Sequence, residues 1–237
     1  MQQHVDRAGL FGESAGAAER IAPGHFPATL EHDHLARYRW ASRWVRGRGV
    51  LDVACGTAYG QQWLVRAGAC RVVAADRSVE ALAYGAREFG ASTVCVDAHR
   101  LPFPDRTFEV VVSLETIEHV LDAPRFAVEL ARVLVDGGQL LLSTPNLARS
   151  SRDNPHHIRE FTRRELSDLL KESGLEVRRV WGQHWRPRWE GWARTPALRR
   201  LAWEIEKPSR VTAVALPGSE PVYFCVRAVR VTRRARA

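Results

Sequence analysis

The sequence predicts an α/β protein built on one mostly parallel, doubly wound sheet. The first observation is that short apolar runs alternate with amphipathic segments from about residue 30 onwards, as in folds whose helices cover both faces of a sheet. The second is length, because 237 residues suffice for one α/β domain with a sizeable core. The third is composition, since 45% hydrophobic and 26% charged residues are ordinary for a globular protein.

Seven short apolar runs are the predicted strands of the sheet. They cover residues 50–54, 71–75, 93–97, 108–114, 139–143, 176–182 and 221–231. Helical segments separate most of these runs, which favours parallel pairing. In such a sheet, ligands bind at the carboxyl ends of the strands, near the point where the strand order switches.

Five segments around these strands carry helical signals. They cover residues 31–45, 59–67, 78–88, 124–134 and 162–173. Ser78 is a predicted N-cap, and Asp136-Gly-Gly is expected to close the fourth helix. Thr162 is a second N-cap, which Glu165 three residues later completes as a capping box.

Two regions depart from this alternation. Residues 1–45 precede the first strand, and we expect them to form an N-terminal lid over the ligand site, with His34 and Tyr38 facing it. The domain itself then runs over residues 46–237, with a Trp-rich insertion late in the chain at about 185–215. The tryptophans of the insertion could pack a small subdomain, line an acceptor pocket or form an interface.

The strongest local signal is the sequence Val50-Leu-Asp-Val-Ala-Cys-Gly-Thr-Ala-Tyr-Gly60. An apolar strand runs directly into a glycine-containing turn and then into a helix. Gly56 and Gly60 have no Cβ, so the backbone can turn sharply and a ligand can approach closely. The amides at the start of the next helix are expected to be donors for a ligand carboxylate. Asp52 lies near the strand end, where a carboxylate is costly unless it orders the loop or meets a cation.

Acidic residues also end the next two predicted strands. Asp76 ends the second strand, twenty residues after Gly56, where a carboxylate can accept hydrogen bonds from both hydroxyls of a ribose. Asp97 ends the third strand, where it can accept from an adenine amine while Ala98 supplies a backbone amide. Arg77 is expected over or beside the base. Acids at three successive strand ends favour one nucleoside site at this edge.

A second group of polar residues follows the fourth strand as Glu115-Thr-Ile-Glu-His119. If these residues begin a helix, Glu115 and Glu118 share a face, and His119 follows directly. Two carboxylates and an imidazole suit Mg²⁺, Mn²⁺, Fe²⁺ or Zn²⁺. His156 and His157 follow the fifth strand, so their loop can return to the same edge of the sheet.

These residues resemble the class I S-adenosylmethionine (SAM) dependent methyltransferases, which have a Rossmann-like fold. The matching motifs include Leu51-Asp-Val-Ala-Cys-Gly56, Leu101-Pro-Phe-Pro-Asp-Arg-Thr-Phe108 and Leu140-Leu-Leu-Ser-Thr-Pro-Asn146. The resemblance implies that SAM is the cofactor, with its methionine moiety near Gly56, its ribose at Asp76 and its adenine at Asp97. The expected cofactor-binding residues are Asp52, Ala54, Gly56, Tyr59, Asp76, Arg77, Asp97, Ala98 and Glu115.

The Glu-x-x-Glu-His pattern narrows the resemblance. It is similar to a motif of bacterial glycan and natural-product O-methyltransferases, of ubiquinone-biosynthesis O-methyltransferases and of small-RNA 3′-end 2′-O-methyltransferases. The last of these implies a site for a divalent metal, Mg²⁺ or similar, with the ligands Glu115, Glu118, His119 and His157. Without a metal, His119, His156 or His157 would be the general base for a hydroxyl. A third interpretation is that the two neighbouring histidines only cap a loop.

The expected function is methyl transfer from SAM to a hydroxyl of a small molecule, a sugar or a polyhydroxylated natural product. The alternatives are an RNA 3′-terminal ribose, the nitrogen of an amino sugar, or SAM binding without catalysis. The net charge of +8 would suit nucleic acid, but much of it lies near the C-terminus, as in a solvated tail, and no RNA-binding module is recognisable. The first thirty residues hold no signal-peptide core and no run approaches a bilayer span, which predicts a cytoplasmic protein.

Overall fold

The structure is a computed structural model that describes residues 28–187, 211 and 219–231. Two of the predicted regions fall partly outside these described residues. They are the first part of the N-terminal lid segment, residues 1–27, and most of the Trp-rich insertion expected at about 185–215.

Seven strands form one sheet in the described part of the chain. They are β1 (Gly49–Val53), β2 (Arg71–Asp76), β3 (Thr93–Cys95), β4 (Phe108–Leu114), β5 (Leu134–Pro145), β6 (Leu175–Pro187) and β7 (Ser219–Arg230). Their order is β3-β2-β1-β4-β5-β7-β6, in which β1 to β5 pair in parallel and β7 runs antiparallel to both of its neighbours. This confirms the predicted Rossmann-like, mostly parallel, seven-stranded α/β fold. The order switches between β1 and β4, where a ligand crevice is expected.

Five α-helices accompany these strands within the described residues. They are α1 (Ala28–Ala41), α2 (Gln61–Arg66), α3 (Val79–Phe89), α4 (Ala123–Val133) and α5 (Arg163–Glu172). A 3₁₀ turn (Ser42–Trp44) follows α1, and a second (Ile117–His119) follows β4. The predicted caps are present, since Ser78 Oγ accepts a backbone amide of α3, and Thr162 and Glu165 form both bonds of a capping box. None of the described helices is long and apolar enough to cross a membrane.

The structure moves several predicted boundaries, since α1 covers Ala28–Ala41 instead of residues 31–45 and β6 extends to Pro187 instead of residue 182. β3 ends at Cys95 and not at residue 97. The amide of Arg100 donates to the carbonyl of Asp97 at 3.0 Å, so the chain turns here instead of continuing the strand. β5 begins at Leu134, directly after α4, so that Asp136 and the two glycines after it lie within the strand. A register shift in the pairing of β4 with β5 accommodates these extra residues.

Hydrophobic side chains alternate between the two faces of the sheet. On β4, Val111 belongs to a buried cluster with residues of α4 and α5, whereas Val110 and Val112 belong to a cluster with residues of α1 and α2. All three valines are fully buried, as expected for parallel strands covered by helices on both faces. Burial of each such side chain stabilises the fold by roughly 1.5–3 kcal/mol. The core therefore fixes the strand ends on which the site is built.

Three tryptophans fasten α1 and the turn after it to the sheet. The rings of Trp40, Trp44 and Trp181 contact one another edge to face, at centroid distances of 5.3–5.6 Å. The guanidinium of Arg227 lies over Trp44 at 5.7 Å. Because Trp181 belongs to β6 and Arg227 to β7, these contacts hold α1 against the antiparallel edge of the sheet.

Candidate functional site

A cavity of about 1170 Å³ opens at the carboxyl ends of β1 to β4 and is bounded on one side by α1. Its wall includes eight of the nine expected cofactor-binding residues, namely Ala54, Gly56, Tyr59, Asp76, Arg77, Asp97, Ala98 and Glu115. It also includes four residues expected on the acceptor side, namely Glu118, His119, His156 and His157. The fold therefore brings the two predicted sets of residues to one cavity.

The loop after β1 turns sharply at the cavity wall. Ala54 and Gly56 have left-handed φ values of 58° and 57°, a conformation that costs little at glycine but is uncommon for alanine. The Gly56 amide donates a 2.9 Å hydrogen bond to Oδ2 of Asp76. This bond ties the loop to the end of β2.

Several backbone amides after this turn already donate hydrogen bonds within the protein, whereas the sequence predicted that amides here would be available to a ligand carboxylate. The Gly56 amide is committed to Asp76. The Ala58 amide donates to the carbonyl of Cys55 at 3.0 Å, and the Gln61 amide donates to the carbonyl of Ala58 at 3.1 Å. At the start of α2, the Gln61 amide and the Trp63 amide, which donates to the carbonyl of Gly60 at 3.0 Å, are thus engaged, so the prediction does not hold for these two groups.

Asp76 lies among the residues that were expected to bind the cofactor. Its Oδ1 accepts from the Ser78 amide and its Oδ2 from the Gly56 amide, each at 2.9 Å. The residue is 7% exposed and lines the cavity. Because a carboxylate oxygen accepts more than one hydrogen bond, both oxygens retain capacity for a pair of ligand hydroxyls.

Asp97 lies at the open end of the cavity. Its side chain is 71% exposed. Its Oδ1 accepts from the amide of His99 at 2.9 Å and lies 3.0 Å from Nδ1 of the same residue. The His99 amide, followed by the His99 ring, holds the pKa of Asp97 below its ordinary value. The carboxylate is therefore ionised and oriented beside Ala98.

Asp52 is the one expected cofactor residue that does not line the cavity. It is 1% exposed, and the hydroxyl of Tyr38 donates to its Oδ2 at 3.0 Å. Burial raises the pKa of Asp52 to about 7, although the hydrogen bond from Tyr38 acts in the opposite direction. The expectation of direct cofactor contact is corrected, because the carboxylate instead joins β1 to α1.

Glu115 does not join Glu118 as a metal ligand in the way that the sequence predicted. Its φ is 51°, and the 3₁₀ turn begins only two residues later, so the two carboxylates do not share a helix face. Ser143 Oγ donates to Oε1 of Glu115 at 2.7 Å, and Nη2 of Arg37 lies 3.6 Å from its Oε2. Glu115 is therefore directed to a hydroxyl and a guanidinium.

Glu118 is a buried carboxylate among the residues that were expected on the acceptor side. Thr144 Oγ1 donates to its Oε2 at 3.0 Å, while its Oε1 has no hydrogen-bond partner among the described residues. Its carbonyl accepts the amides of Ile158 and Arg159 at 2.7 and 3.2 Å, which fastens the loop after β5 to this turn. Burial, followed by the charge of Glu115, raises the pKa of Glu118 well above its ordinary value.

His119 and His157 lie beside Glu118, and the hydrogen-bond partner of each ring indicates its tautomer. Nδ1 of His119 lies 3.0 Å from the carbonyl oxygen of His156, which only accepts, so this Nδ1 carries the proton. Nδ1 of His157 lies 2.6 Å from Oε1 of Glu160, a carboxylate that likewise accepts. In the tautomer that these contacts select, the lone pair of each ring is on Nε2, and Nε2 of His119 is 4.0 Å from Oε1 of Glu118.

The side chains of Glu118, His119 and His157 form a compact donor cluster. Each offers one ligand atom, and these atoms lie within 4.8 Å of one another. The two imidazole centroids are 4.9 Å apart. One carboxylate oxygen and two imidazole nitrogens suit a divalent cation, and hydrogen bonds to Nδ1 are the usual way in which proteins orient metal-binding histidines. The cluster could hold a cation or accept a proton.

His156 was the third candidate for a general base. The residue lines the cavity but is exposed, and its amide donates to Oδ1 of Asn154 at 3.0 Å. Its carbonyl is the group that orients His119. The geometry therefore favours His119 and His157 over His156 for contact with a reacting group.

Three residues of the site were not predicted from the sequence. Arg37 is 1% exposed, lines the cavity and covers the ring of Tyr223 at 4.4 Å. The spacing of His34, Arg37 and Tyr38 places them on one helix face, which could have indicated Arg37. No pattern indicated Tyr223, because β7 reaches the site only through the tertiary fold. Glu160 lies three residues after His157 in the loop that was expected to return to this edge, but its contact with His157 was not predicted.

Known proteins share both the sequence pattern and the fold. Residues 51–142 match the family model of a methyltransferase domain. A protein of Mycolicibacterium smegmatis described as a "probable S-adenosylmethionine-dependent methyltransferase" is 36% identical over 150 residues, which cover 61% of this chain and 58% of that protein. A ubiquinone biosynthesis O-methyltransferase of Rhizobium johnstonii is 30% identical over 166 residues, which cover 61% of this chain and 66% of that protein.

Among solved structures, a chain of the complex between the Haloferax volcanii Trm112 methyltransferase activator and a methyltransferase has a similar fold. The TM-score is 0.66 at 18% identity, covering 87% of this chain and 93% of that one. This likeness concerns the fold alone. The chain spans between 54% and 58% of the length of the first three curated relatives that it matches.

Proposed function

We propose that this chain, which carries a class I SAM-dependent methyltransferase domain, transfers the methyl group of SAM to a hydroxyl of a small molecule. We expect an acceptor with neighbouring hydroxyls, such as a sugar or another polyol. The observation that carries the proposal is the donor cluster of Glu118, His119 and His157 in the same cavity as the cofactor residues. The name of the Rhizobium relative, an O-methyltransferase, supports oxygen as the accepting atom.

The residues of the cofactor half fit SAM by their chemistry. Asp76 can accept from both ribose hydroxyls, since two backbone amides already orient its oxygens. Asp97 and the amide of Ala98 can pair with adenine at the open end of the cavity. The wall around them is completed by Ala54, Gly56, Tyr59, Arg77 and Glu115. Bound SAM would supply an electrophilic methyl group, so the chain must align an acceptor oxygen and remove its proton.

The acceptor half fits a divalent cation, Mg²⁺ or similar. Oε1 of Glu118 is buried without a hydrogen-bond partner in the described ranges, which is costly unless a cation or a ligand meets it. His119 and His157 both present Nε2 because their Nδ1 atoms are engaged. We propose that these three side chains hold the cation. A cation there would act as a Lewis acid and lower the pKa of a bound hydroxyl.

His157 is the better proton acceptor of the two histidines if no cation is bound. Its Nδ1 faces the buried carboxylate of Glu160, which can stabilise the imidazolium formed when Nε2 takes a proton. Nδ1 of His119 faces only a carbonyl, whose dipole compensates the positive charge less well. Removal of the hydroxyl proton would then depend on His157.

We further propose that α1 is the inner part of a lid formed by residues 1–45, and that residues 46–237 form the catalytic domain. His34, Arg37 and Tyr38 of α1 line the cavity. The tryptophan contacts described above hold this helix against the sheet. A lid in this position would exclude water from the methyl-transfer site.

The test is turnover of methyl-labelled SAM with paired acceptors. Each pair consists of a cyclic cis-diol and the analogue in which one hydroxyl is replaced by an amine, and a short RNA with a 3′-terminal ribose is a third arm. We expect label on a diol oxygen, with loss of turnover when a chelator is added. Transfer only to the amine would contradict oxygen as the acceptor, and transfer only to RNA would contradict a small-molecule acceptor.

The variant that tests the proposed cation site is Glu118→Gln. We expect it to lose the bound divalent ion in elemental analysis and to lower turnover by roughly 100-fold or more, while SAM affinity stays near the wild-type value. Glu172→Gln is the control, because Glu172 is exposed at the end of α5. Turnover that survives both chelation and Glu118→Gln would contradict the metal and leave His157 as the base.

A further inference from the structure

Positive charge is concentrated at the amino ends of β1 and β2, on the edge of the sheet opposite the cavity. The two segments that lead into these strands, residues 37–48 and 61–72, contain arginines but no aspartate or glutamate. Arg37 is buried at the cavity, and Arg71 begins β2. The other five, which we call the arginine surface, are Arg39, Arg43, Arg46, Arg48 and Arg66.

Contacts between the two segments bring these arginines to one surface. The guanidinium of Arg39 lies over the ring of Trp63 at 4.8 Å. The amide of Gly47 donates to the carbonyl of Gly68 at 2.7 Å. The side chain of Arg46 lies against the same glycine, since a Cβ built on Gly68 would meet its Cγ at 3.4 Å. The end of α1, the turn after it and the end of α2 therefore lie side by side.

The charge of the arginine surface is not compensated by side chains in the described part of the chain. No acidic residue there forms an ion pair with any of its five members. Elsewhere, exposed Arg87, Arg164 and Arg178 each pair with an acidic side chain. The carboxyl ends of α1 and α2 offset only part of the charge, because the dipole of a helix is equivalent to roughly half an elementary charge. The surface is therefore complementary to a partner that carries several negative charges.

The residues between the arginines favour an anionic membrane over a nucleic acid. Val65 is 51% exposed, and an apolar side chain among cations can enter the headgroup region of a bilayer. Contacts with the phosphates of a nucleic acid would leave this valine unused. Trp63 and Trp44 could stack on bases, but the guanidinium groups of Arg39 and Arg227 already cover their rings.

From these observations we propose that the arginine surface and Val65 bind this chain peripherally to membranes that contain anionic lipids. The cavity opens at the carboxyl ends of the strands, and a five-residue strand such as β1 separates the two edges by roughly 16 Å. A chain bound in this way keeps its cavity open to water. The proposal therefore does not depend on which acceptor or cofactor the cavity takes.

Flotation of the full chain with lipid vesicles tests the proposal. One set of vesicles is pure phosphatidylcholine, and the other is an equal mixture of phosphatidylcholine and phosphatidylglycerol. We expect at least about 100-fold stronger binding to the anionic vesicles at low salt, because each basic residue near such a surface contributes about 5-fold. The binding should weaken steeply as salt is raised to about 0.5 M, since salt screens exposed charges.

The decisive variant is Arg43→Gln/Arg46→Gln/Arg66→Gln. We expect it to bind anionic vesicles about 30- to 100-fold more weakly than the wild type. The control Arg87→Gln/Arg164→Gln/Arg178→Gln removes the same number of charges from other exposed positions, so its binding should change by less than about 3-fold. Thermal denaturation shows that both proteins are folded.

Val65→Ser tests the apolar part of the contact with all the arginines in place. We expect about 3- to 10-fold weaker binding to anionic vesicles, because a half-exposed valine would no longer be buried in the headgroup region. Binding of a short RNA, measured in parallel, should be much weaker than vesicle binding and insensitive to this substitution.

Four outcomes would overturn the proposal. They are no binding to either set of vesicles, equal binding to both sets, an equal loss in the two triple variants, and binding to the RNA but not to vesicles. The last result would assign the arginine surface to a nucleic acid. All four leave the proposed function intact, because methyl transfer is measured without vesicles.

Discussion

Nδ1 of His157 lies 2.6 Å from Oε1 of Glu160, and that same carboxylate oxygen accepts from the hydroxyl of Ser150 at 2.7 Å. The side chain of Glu160 is only 5% exposed, while that of His157 is 16% exposed and lines the cavity. The pair therefore fixes the orientation of the imidazole, and in the proposed reaction Nε2 remains available. This function does not depend on whether Nε2 meets a cation or a hydroxyl proton.

We predict that Glu160→Gln lowers turnover by about 10- to 100-fold, because a neutral amide orients and polarises His157 less well than a carboxylate. SAM affinity should stay near the wild-type value, since Glu160 belongs to the acceptor half of the cavity. Steady-state kinetics and SAM titration on the same samples measure both quantities. Equal turnover in Glu160→Gln and the wild type would show that this pair has no role in the reaction.

The burial of the Asp52 carboxylate predicts a pH dependence of stability. Burial raises the pKa of Asp52 to about 7 in the folded state, whereas its pKa is about 4 in the unfolded chain. Between about pH 4 and 7 the folded protein therefore keeps a proton on Asp52 that the unfolded chain has released. The contribution of Asp52 to stability is therefore fully present below about pH 4 and lost as pH rises toward 7. Its full size is roughly 4 kcal/mol.

We predict that Asp52→Asn flattens this part of the stability profile, because the amide oxygen still accepts from Tyr38 but does not titrate. Urea unfolding at several pH values between 4 and 7.5 measures the free energy of unfolding. Asp153→Asn is the control, as Asp153 is exposed. If wild type and Asp52→Asn showed the same slope with pH, the buried carboxylate would not be the source of the effect.

Gly60 is required because the ring of Tyr38 approaches its Cα closely. Its φ of −67° is one that any residue can adopt. A Cβ at this position would overlap the ring of Tyr38, so Gly60→Ala must displace α1 or the loop after β1. We predict a loss of about 1–3 kcal/mol in the free energy of unfolding. In combination with Tyr38→Ala the added methyl should cost little, and a thermal-denaturation double-mutant cycle measures this coupling. Strict additivity of the two substitutions would contradict the contact.

The cofactor edge of the site was predictable because it depends on the order of elements along the chain. Gly56 and Asp76 follow predicted strands and Asp97 ends one, and the carboxyl ends of parallel strands meet at one edge of a sheet. The capping residues Ser78 and Thr162 were predictable for the same reason, since caps are local. These features required no knowledge of which elements pack together.

The acceptor half was only partly predictable because its contacts are tertiary. Glu115 was expected at the start of a helix, but its left-handed backbone turns it toward Arg37, a conformation that is uncommon for a residue other than glycine. Asp52 was expected near the cofactor, but α1 covers it with Tyr38. The support of His157 by Glu160 depends on how the loop after β5 folds back.

The binding of SAM to Asp76→Ala is the measurement that tests the central claim most directly. Asp76 orders the loop after β1 and is the proposed acceptor for the ribose hydroxyls, so its removal costs two ligand hydrogen bonds to a charged group. By titration calorimetry we predict that the wild type binds one SAM per chain and that Asp76→Ala binds at least about 100-fold more weakly, with exposed Asp153→Ala as the control. Wild-type affinity in Asp76→Ala, or no binding by the wild type, would contradict the assignment of this cavity to SAM.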